Sequence, residues 1–560
     1  MGIYLNSKKP ALLYRNEVQA AYFVDKTPLL EELVSLLERQ GEFRMHTGTV
    51  GNRFVCITRP RRFGKTVMAN MIASYFGRGM DTSDIFGKLA VGKNEWYKKH
   101  LNRHNVIHIM FNEMPAQCKS YPQYISRIEK RLLADLIREF PDAGIDGETA
   151  VWDALNQILE LDAEVKFIFV FDEWDFIFHR QFVADADKTA FIDFMSNLLK
   201  DQPYVELAYM TGILPIAKYS SGSELNMFSE YTMASKIKYS EYFGFSDEEV
   251  DMLFERYLRL TEKPEISREG LRTWYDGYQA LNGKKLYNPR SVVCALSDNQ
   301  LSNYWTSSGP YDELFYYVRK NVDDVRDDIA LMAAGESVTA KVQEYAATSM
   351  ELRTKDEILS AMVVYGFLCS DNGKVFIPNK ELMDKFVDMI RKEPSLGYVY
   401  RLSKKSEQML KATLEQDTDT MLAILEYAHN TEAPLLSYSN ETELTALVNL
   451  VYLAARDDYR VEREDKAGIG YADFIFYPET DRNADGIILE LKVNHTAEEA
   501  LRQIKDKKYA LKFERKLGEK RKYTGRILGV GIAYNKETKE HSCKIEVLRS
   551  FLPDLTVHKN

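Results

Sequence analysis

Gly486-Ile487-Ile488-Leu489-Glu490-Leu491-Lys492-Val493 is an apolar run that carries two charges. It has the length and composition of a strand. Alternate residues of a strand share a face. Glu490 and Lys492 therefore point one way, and Leu489 and Leu491 pack behind them. Asp473 stands 17 residues before Glu490, inside a second apolar run, Tyr471-Ala472-Asp473-Phe474-Ile475-Phe476. An Asp and a Glu on neighbouring strands can hold one Mg2+, with water filling the other positions. A lysine beside them can orient or deprotonate an attacking water. The set suits phosphodiester cleavage.

The surroundings of this run are basic. From Arg502 to Arg526 there are eleven Lys/Arg against three Asp/Glu, a net +8, in a chain whose overall charge is −10. Such a stretch can track a phosphate backbone, or it can be a solvated helix face. Bulk charge alone does not mark a nucleic-acid binder. The 560 residues, 45% hydrophobic and 28% charged, are ordinary globular material, with length for roughly three to four domains. The five cysteines (Cys56, Cys118, Cys294, Cys369, Cys543) are far apart. They point away from a zinc site or disulfide framework and toward a reducing compartment. The N-terminus lacks the order of a signal peptide, and no apolar stretch approaches the ~20 residues of a membrane helix. A cytoplasmic protein without membrane contact is expected. No histidine metal site is expected either.

The first half of the chain alternates short apolar runs with helical patterns. Strands are expected at Arg53–Ile57, Val106–Phe111, Val165–Phe171 and Val205–Met210. That alternation predicts a parallel sheet with helices on both faces. The first strand runs into Arg59-Pro60-Arg61-Arg62-Phe63-Gly64-Lys65-Thr66 and then a helix over Val67–Phe76. Strand, loop, Gly-Lys-Thr, helix is the context of a phosphate-binding loop, with phosphate at the helix N-terminus. Lys65 would reach the β- and γ-phosphates and Thr66 would ligate Mg2+. The general pattern wants Gly where Arg59 stands, so this part alone is a weak signal. The strand ending in Asp172-Glu173 strengthens it. There the Asp would hold the Mg2+ shell and the Glu would polarise the attacking water. Thr211, ending the fourth strand, would stand beside the γ-phosphate or simply close a turn. Arg59, Arg61 and Arg62 would face nucleotide or pair with acids at the sheet edge. Farther on, Lys355–Phe367 reads as a helix and Leu368–Ile377 as a hairpin with an Asn372-Gly373 turn, the order of a winged helix.

Residues 1–300 resemble a bacterial family of AAA-ATPase-like proteins. The loop at 59–66 matches that family's Arg-Pro-Arg-Arg-Phe-Gly-Lys-Ser/Thr, in which Arg at position 59 is the rule. Tyr22-Phe23-Val24-Asp25-Lys26-Thr27, Phe171-Asp172-Glu173-Trp174-Asp175, Trp274-Tyr275-Asp276-Gly277-Tyr278 and Tyr287-Asn288-Pro289-Arg290-Ser291 are similar to its other motifs. Trp174 and Phe176 depart from the family's usual Tyr and Lys. Residues 435–540 resemble the PD-(D/E)xK nuclease-like domain that its members carry. Asp473, Glu490 and Lys492 match, with Ala472 in place of the proline. The resemblance implies a further acid at Glu441, or alternatively Glu443, and a role beside the metal for Gln503.

The resulting expectation is an α/β multidomain chain. A P-loop AAA-like ATPase domain spans 1–225, a helical lid and winged-helix-like region 226–400, and a restriction-endonuclease-like α/β domain 401–560. ATP and Mg2+ are the expected cofactors, and nucleic acid, DNA before RNA, is the expected partner. Self-association stays open. The implied function is an ATPase gating a Mg2+-dependent nuclease. The alternatives are a regulatory ATP switch whose C-terminal domain binds without cleaving, and a binding protein with no turnover at either site.

Overall fold

Alternation along five strands builds the first sheet. They are β1 (Phe54–Thr58), β2 (Asn105–Met110), β3 (Phe167–Asp172), β4 (Val205–Gly212) and β5 (Ser229–Tyr231). All neighbours pair parallel, in the order β2-β3-β4-β1-β5. Phe54 and Cys56 of β1 and Phe167, Phe169 and Phe171 of β3 face one side, against Tyr124, Ile128 and Leu132 of a helix. Val55, Ile57, Ile168, Val170, Leu207 and Tyr209 face the other, against Met68, Ala69 and Ile72 of helix α1 (Lys65–Phe76). Both faces are covered, which is why these strands read as continuous apolar runs. The short β5, Ser-Glu-Tyr, is half-buried along its length. It has no apolar run and no sequence signal.

The computed structural model describes residues 2–38, 52–180, 182–216, 224–233, 238–280, 283–305, 316–319, 321–342, 352–430, 441–467, 470–478, 483–510 and 525–549. The chain divides into two compact units. One comprises 1–317 with 339–382, the other 318–338 with 383–560.

In the first unit a mostly helical region follows the sheet. Helix α2 (Pro289–Asp298) is capped by Asn288, whose side chain accepts from the Ser291 N–H, with Pro289 in the first turn. Helix α3 (Lys355–Val364) starts on a reciprocal cap between Thr354 and Glu357. It leads into the antiparallel hairpin β6 (Cys369–Asp371) and β7 (Lys374–Phe376). Asn372 and Gly373 turn it with φ +48° and +77°, the two positive values that a twisted two-residue hairpin turn needs. Helix α4 (Lys380–Lys392) begins in this unit and continues into the other.

The second unit holds a mixed sheet. Strands β8 (Tyr459–Ala467), β9 (Gly470–Pro478), β10 (Gly486–Val493), β11 (Ile527–Asn535) and β12 (Glu540–Arg549) lie in sequence order. Only β10 and β11 pair parallel. Helix α5 (Glu441–Val451) precedes the sheet, and helix α6 (Ala497–Asp506) joins β10 to β11. A Cβ on Gly531 of β11 would lie 2.3 Å from the Ala497 carbonyl oxygen. Glycine there lets α6 rest directly on the sheet. No helix among the described residues is long and apolar enough to cross a membrane.

Candidate functional site

At the first site the sheet's alternation does the placing. Even residues of β3 and odd residues of β4 face α1, so Asp172 and Thr211 emerge on the α1 side together. The Thr211 hydroxyl donates to Asp172 Oδ1 at 2.5 Å. Thr66, in the first turn of α1, also bonds Asp172. Asp172 is fully buried and its Oδ2 has no hydrogen-bond partner. Burial raises its pKa, opposed by the two threonines and Lys65. Glu173, the next residue, would fall on the opposite face of a continuing strand. Instead its backbone is left-handed, φ +51°, and it lies within the electrostatic reach of Lys65. Burial, then Asp172, raises its pKa; a hydrogen bond from Asn112 lowers it.

Gly64, at φ +87°, caps α1, and a Cβ there would meet nothing within 4 Å. Its requirement is conformational rather than spatial. Lys65 is folded back on its own loop, donating to the carbonyls of Arg59 and Pro60, each at 2.8 Å. Burial pulls its ammonium down to about 8 despite Asp175, Glu173 and Asp172 nearby.

The unusual residues of the loop turn out to be anchors. Arg59 is 1% exposed. It donates to the Thr58 and Tyr231 carbonyls at 2.7 and 2.8 Å and stacks on Phe243. It thus ties β1 to β5. Pro60 lies under Gly366, whose added Cβ would be 2.5 Å from the proline ring. Phe63 is buried edge-on against Tyr278. Arg62, at φ +70°, donates to the Tyr304 carbonyl and stacks over Trp305. Arg61 is half-buried and electrostatically coupled to Lys65. Of the eight loop residues, Arg59, Pro60 and Phe63 have side chains packed into the protein.

Asn112, which the sequence reading did not single out, and Asp175, the last residue of the Phe171–Asp175 motif, belong here. Asn112 follows β2 and bonds Glu173. Asp175 is 2% exposed, and its Oδ2 accepts the Ile213 and Leu214 N–H groups at 3.1 and 2.9 Å. A single polar residue after an apolar strand, such as Asn112, carries no pattern that would single it out.

At the second site the antiparallel ladder pairs Phe474 with Leu489, which sets Asp473 and Glu490 side by side. Asp473 Oδ2 accepts the Leu491 N–H at 2.7 Å. Glu490 is 1% exposed. Its Oε1 accepts Lys492 Nζ at 3.1 Å and the amide of Gln503. Its Oε2 is buried with no hydrogen-bond partner. Burial, then Asp473, pushes Glu490 up to about 7, against Lys492. Gln503 arrives because α6 lies across Gly531, which pairs with Glu490 in the ladder. Glu443 lies half-buried in the first turn of α5. Glu441 opens that helix, but its side chain lies outside the described residues.

The donor sets at both sites are hard oxygens, the type Mg2+ takes. Each includes a buried carboxylate oxygen with no protein partner. Among the described residues no group of three or more His, Cys, Asp or Glu could hold a metal, so water would complete either shell.

The sequence contains His100-x-x-x-His104 and Glu426-x-x-His429. The first pair forms a hydrogen-bonded line rather than converging ligands. His100 Nδ1 lies 3.0 Å from His104 Nε2, with Glu38 and Glu206 at the two ends. In the basic run, Lys505 pairs with Glu546 and Arg526 with Asp485. Those two charges are partly satisfied within the protein. Residues 511–524, with Lys512, lie outside the described residues.

Residues 16–221 match the family described as Predicted AAA-ATPase. Residues 440–540 match the PD-(D/E)XK nuclease superfamily. Among curated proteins nothing matches significantly. Among solved structures, a Walker-type ATPase of Pyrococcus abyssi is 11% identical with TM-score 0.32, covering 64% of this chain and 94% of its own. The Aeropyrum pernix ORC2 protein, in ADPNP-ADP complexes, is 12% identical with TM-score 0.32, covering 65% and 94%. The fold rests on the sheet order, not on these overlaps.

Proposed function

The chain carries an AAA-ATPase-like domain at 16–221 and a PD-(D/E)XK nuclease-superfamily domain at 440–540, and from that premise we propose an enzyme that hydrolyses ATP and uses it to gate Mg2+-dependent cleavage of nucleic acid, DNA first. The observation that carries the proposal is Glu490. A buried carboxylate with one oxygen held by Lys492 and Gln503 and the other without a partner is costly unless a ligand uses it.

In the first domain, Lys65 exchanges the carbonyls of Arg59 and Pro60 for phosphate oxygens. Thr66 and Asp172 hold Mg2+, Thr211 fixes the Asp172 carboxylate, and Glu173 orients the attacking water, itself held by Asn112. In the second, Asp473 and Glu490 hold Mg2+ and Lys492 positions the water. Gln503 keeps Glu490 in place, and Glu441 is the further acid from α5. Bound Mg2+ supplies charge neutralisation at phosphate and a more acidic water.

The test incubates the full chain with plasmid, linear DNA and RNA, in Mg2+, with and without ATP. Cleavage that needs Mg2+, responds to ATP and disappears in Asp473→Ala supports the proposal. Nucleic-acid binding without cleavage under every condition would replace it with the regulatory-switch reading.

A further inference from the structure

Beside Glu490 opens a cleft of about 590 Å3. Lys492 and Gln503 form one wall. The others come from residues with no part in the proposed reaction: Asn494, His495, Glu499 and Lys536. Its size falls in the ~300–1,000 Å3 range of ligand pockets, and it is open to solvent on one side.

Asn494 makes the cleft. It ends β10 in the left-handed region, φ +60°, and turns the chain so that His495 comes round toward the side of Lys492. Its N–H donates to the Tyr534 carbonyl at 2.8 Å, and its side-chain oxygen accepts the Lys536 N–H at 3.0 Å. One residue therefore bolts the end of β10 to the turn after β11 and sets Lys536 at the rim. Glu499, the acid of the cleft, is already engaged, accepting from the Thr496 N–H at 3.0 Å and lying 3.2 Å from His495 Nδ1. The cleft thus carries Lys492, which is paired with Glu490, and Lys536 beside the engaged Glu499. A cation-rimmed space abutting a phosphodiester-cleaving site suits a second phosphate.

We propose that this cleft is a subsite for the nucleotide next to the scissile bond, with Lys536 contacting its phosphate and Asn494 acting as the positioning residue for Lys536. The inference rests on the nuclease reading of the neighbouring site.

The experiment measures binding of short fluorescent single-stranded oligonucleotides to the full chain in an Asp473→Ala background, so that cleavage does not interfere. Lys536→Gln should weaken binding about tenfold and lower the log–log salt slope by about 0.7, one phosphate contact on a single strand. Lys536→Arg should restore both. Asn494→Gly, which permits the same backbone but loses the brace, should match Lys536→Gln; Asn494→Asp should not. Oligonucleotides with and without a terminal phosphate distinguish the source of the anion. Equal effects of Lys536→Gln on both mean an internal phosphodiester, and an effect confined to the phosphorylated one means a terminal phosphate. Unchanged affinity and slope in Lys536→Gln, with Asp473-dependent cleavage intact, overturn the subsite and leave the nuclease reading standing. Loss of affinity in Lys536→Gln from a parent that never cleaves overturns the nuclease reading and the subsite with it, and leaves only a nucleic-acid contact at Lys536.

Discussion

Lys65 is buried, and burial holds its ammonium near 8, below the ~10.4 of a free lysine. Phosphate favours the charged form, so a bound nucleotide raises this pKa again. The sign follows. Below about pH 8 the lysine is already charged and nucleotide affinity is flat. Above it, binding must take up a proton, and affinity falls about tenfold per pH unit until the pKa of the complex is reached. Calorimetry in buffers of different ionisation enthalpy reads that proton directly. Lys65→Ala should abolish binding, and unchanged affinity in that variant would sink the loop assignment. Glu173 makes a separate prediction. Glu173→Gln keeps shape and loses charge, so ATP binding should persist while turnover falls about 10²–10⁴-fold. Parallel loss of both would give Glu173 a folding role, which its left-handed backbone makes a real competitor. At this scale Lys65, Thr66, Asp172 and Glu173 were legible from strand endings and spacing. The inward turn of Arg59 was not, because nothing local distinguishes an arginine that binds ligand from one that binds carbonyls.

Elements explain what single residues do not. Glu381, in the first turn of α4, accepts from the Ser291 hydroxyl and from the Tyr304 and Trp305 N–H groups at 2.9, 2.7 and 2.6 Å. It thereby joins the start of α4 to α2 and to the segment that grips Arg62 of the loop. Burial still outweighs these donors and pushes its carboxyl up to about 7. The folded state therefore holds this proton more tightly than the unfolded chain does. Stability is highest below about 4.5, the ordinary value, falls as pH rises toward about 7, and is flat beyond. The span corresponds to on the order of 3 kcal/mol. Chemical denaturation at several pH values should show that slope in the parent and lose it in Glu381→Gln; an equal slope in both would assign the dependence elsewhere. The strands near 53–57, 106–111, 165–171 and 205–210, the helices near 67–76 and 355–367 and the hairpin at 368–377 lie within a few residues of where apolar periodicity and turn residues put them. No such mark points to Glu381, since a lone glutamate opening an amphipathic helix reads as surface.

The whole molecule sets the condition for the last prediction. The Gly-Lys-Thr loop with Asp172 and Glu173 belongs to one compact unit, and Asp473, Glu490 and Lys492 belong to the other. The chain passes between the units more than once, at 318, 339 and 383, an interleaving with no trace in composition or linkers. Basal ATP hydrolysis and cleavage should therefore be separable by mutation. Asp473→Ala and Glu490→Ala remove metal-binding oxygens, so each should abolish cleavage and weaken Mg2+ binding. Lys492 gives no oxygen, and Lys492→Ala should abolish cleavage while leaving metal affinity largely intact. ATP turnover without nucleic acid should stay near the parent rate in all three. Glu173→Gln, in turn, should trap one nucleotide state and change the rate of cleavage without changing Mg2+ affinity at the second site. Metal titrations paired with ATPase and cleavage assays on these four variants read the whole pattern. Cleavage indifferent to Glu173→Gln, at saturating ATP, would leave two activities sharing a chain with no gate between them.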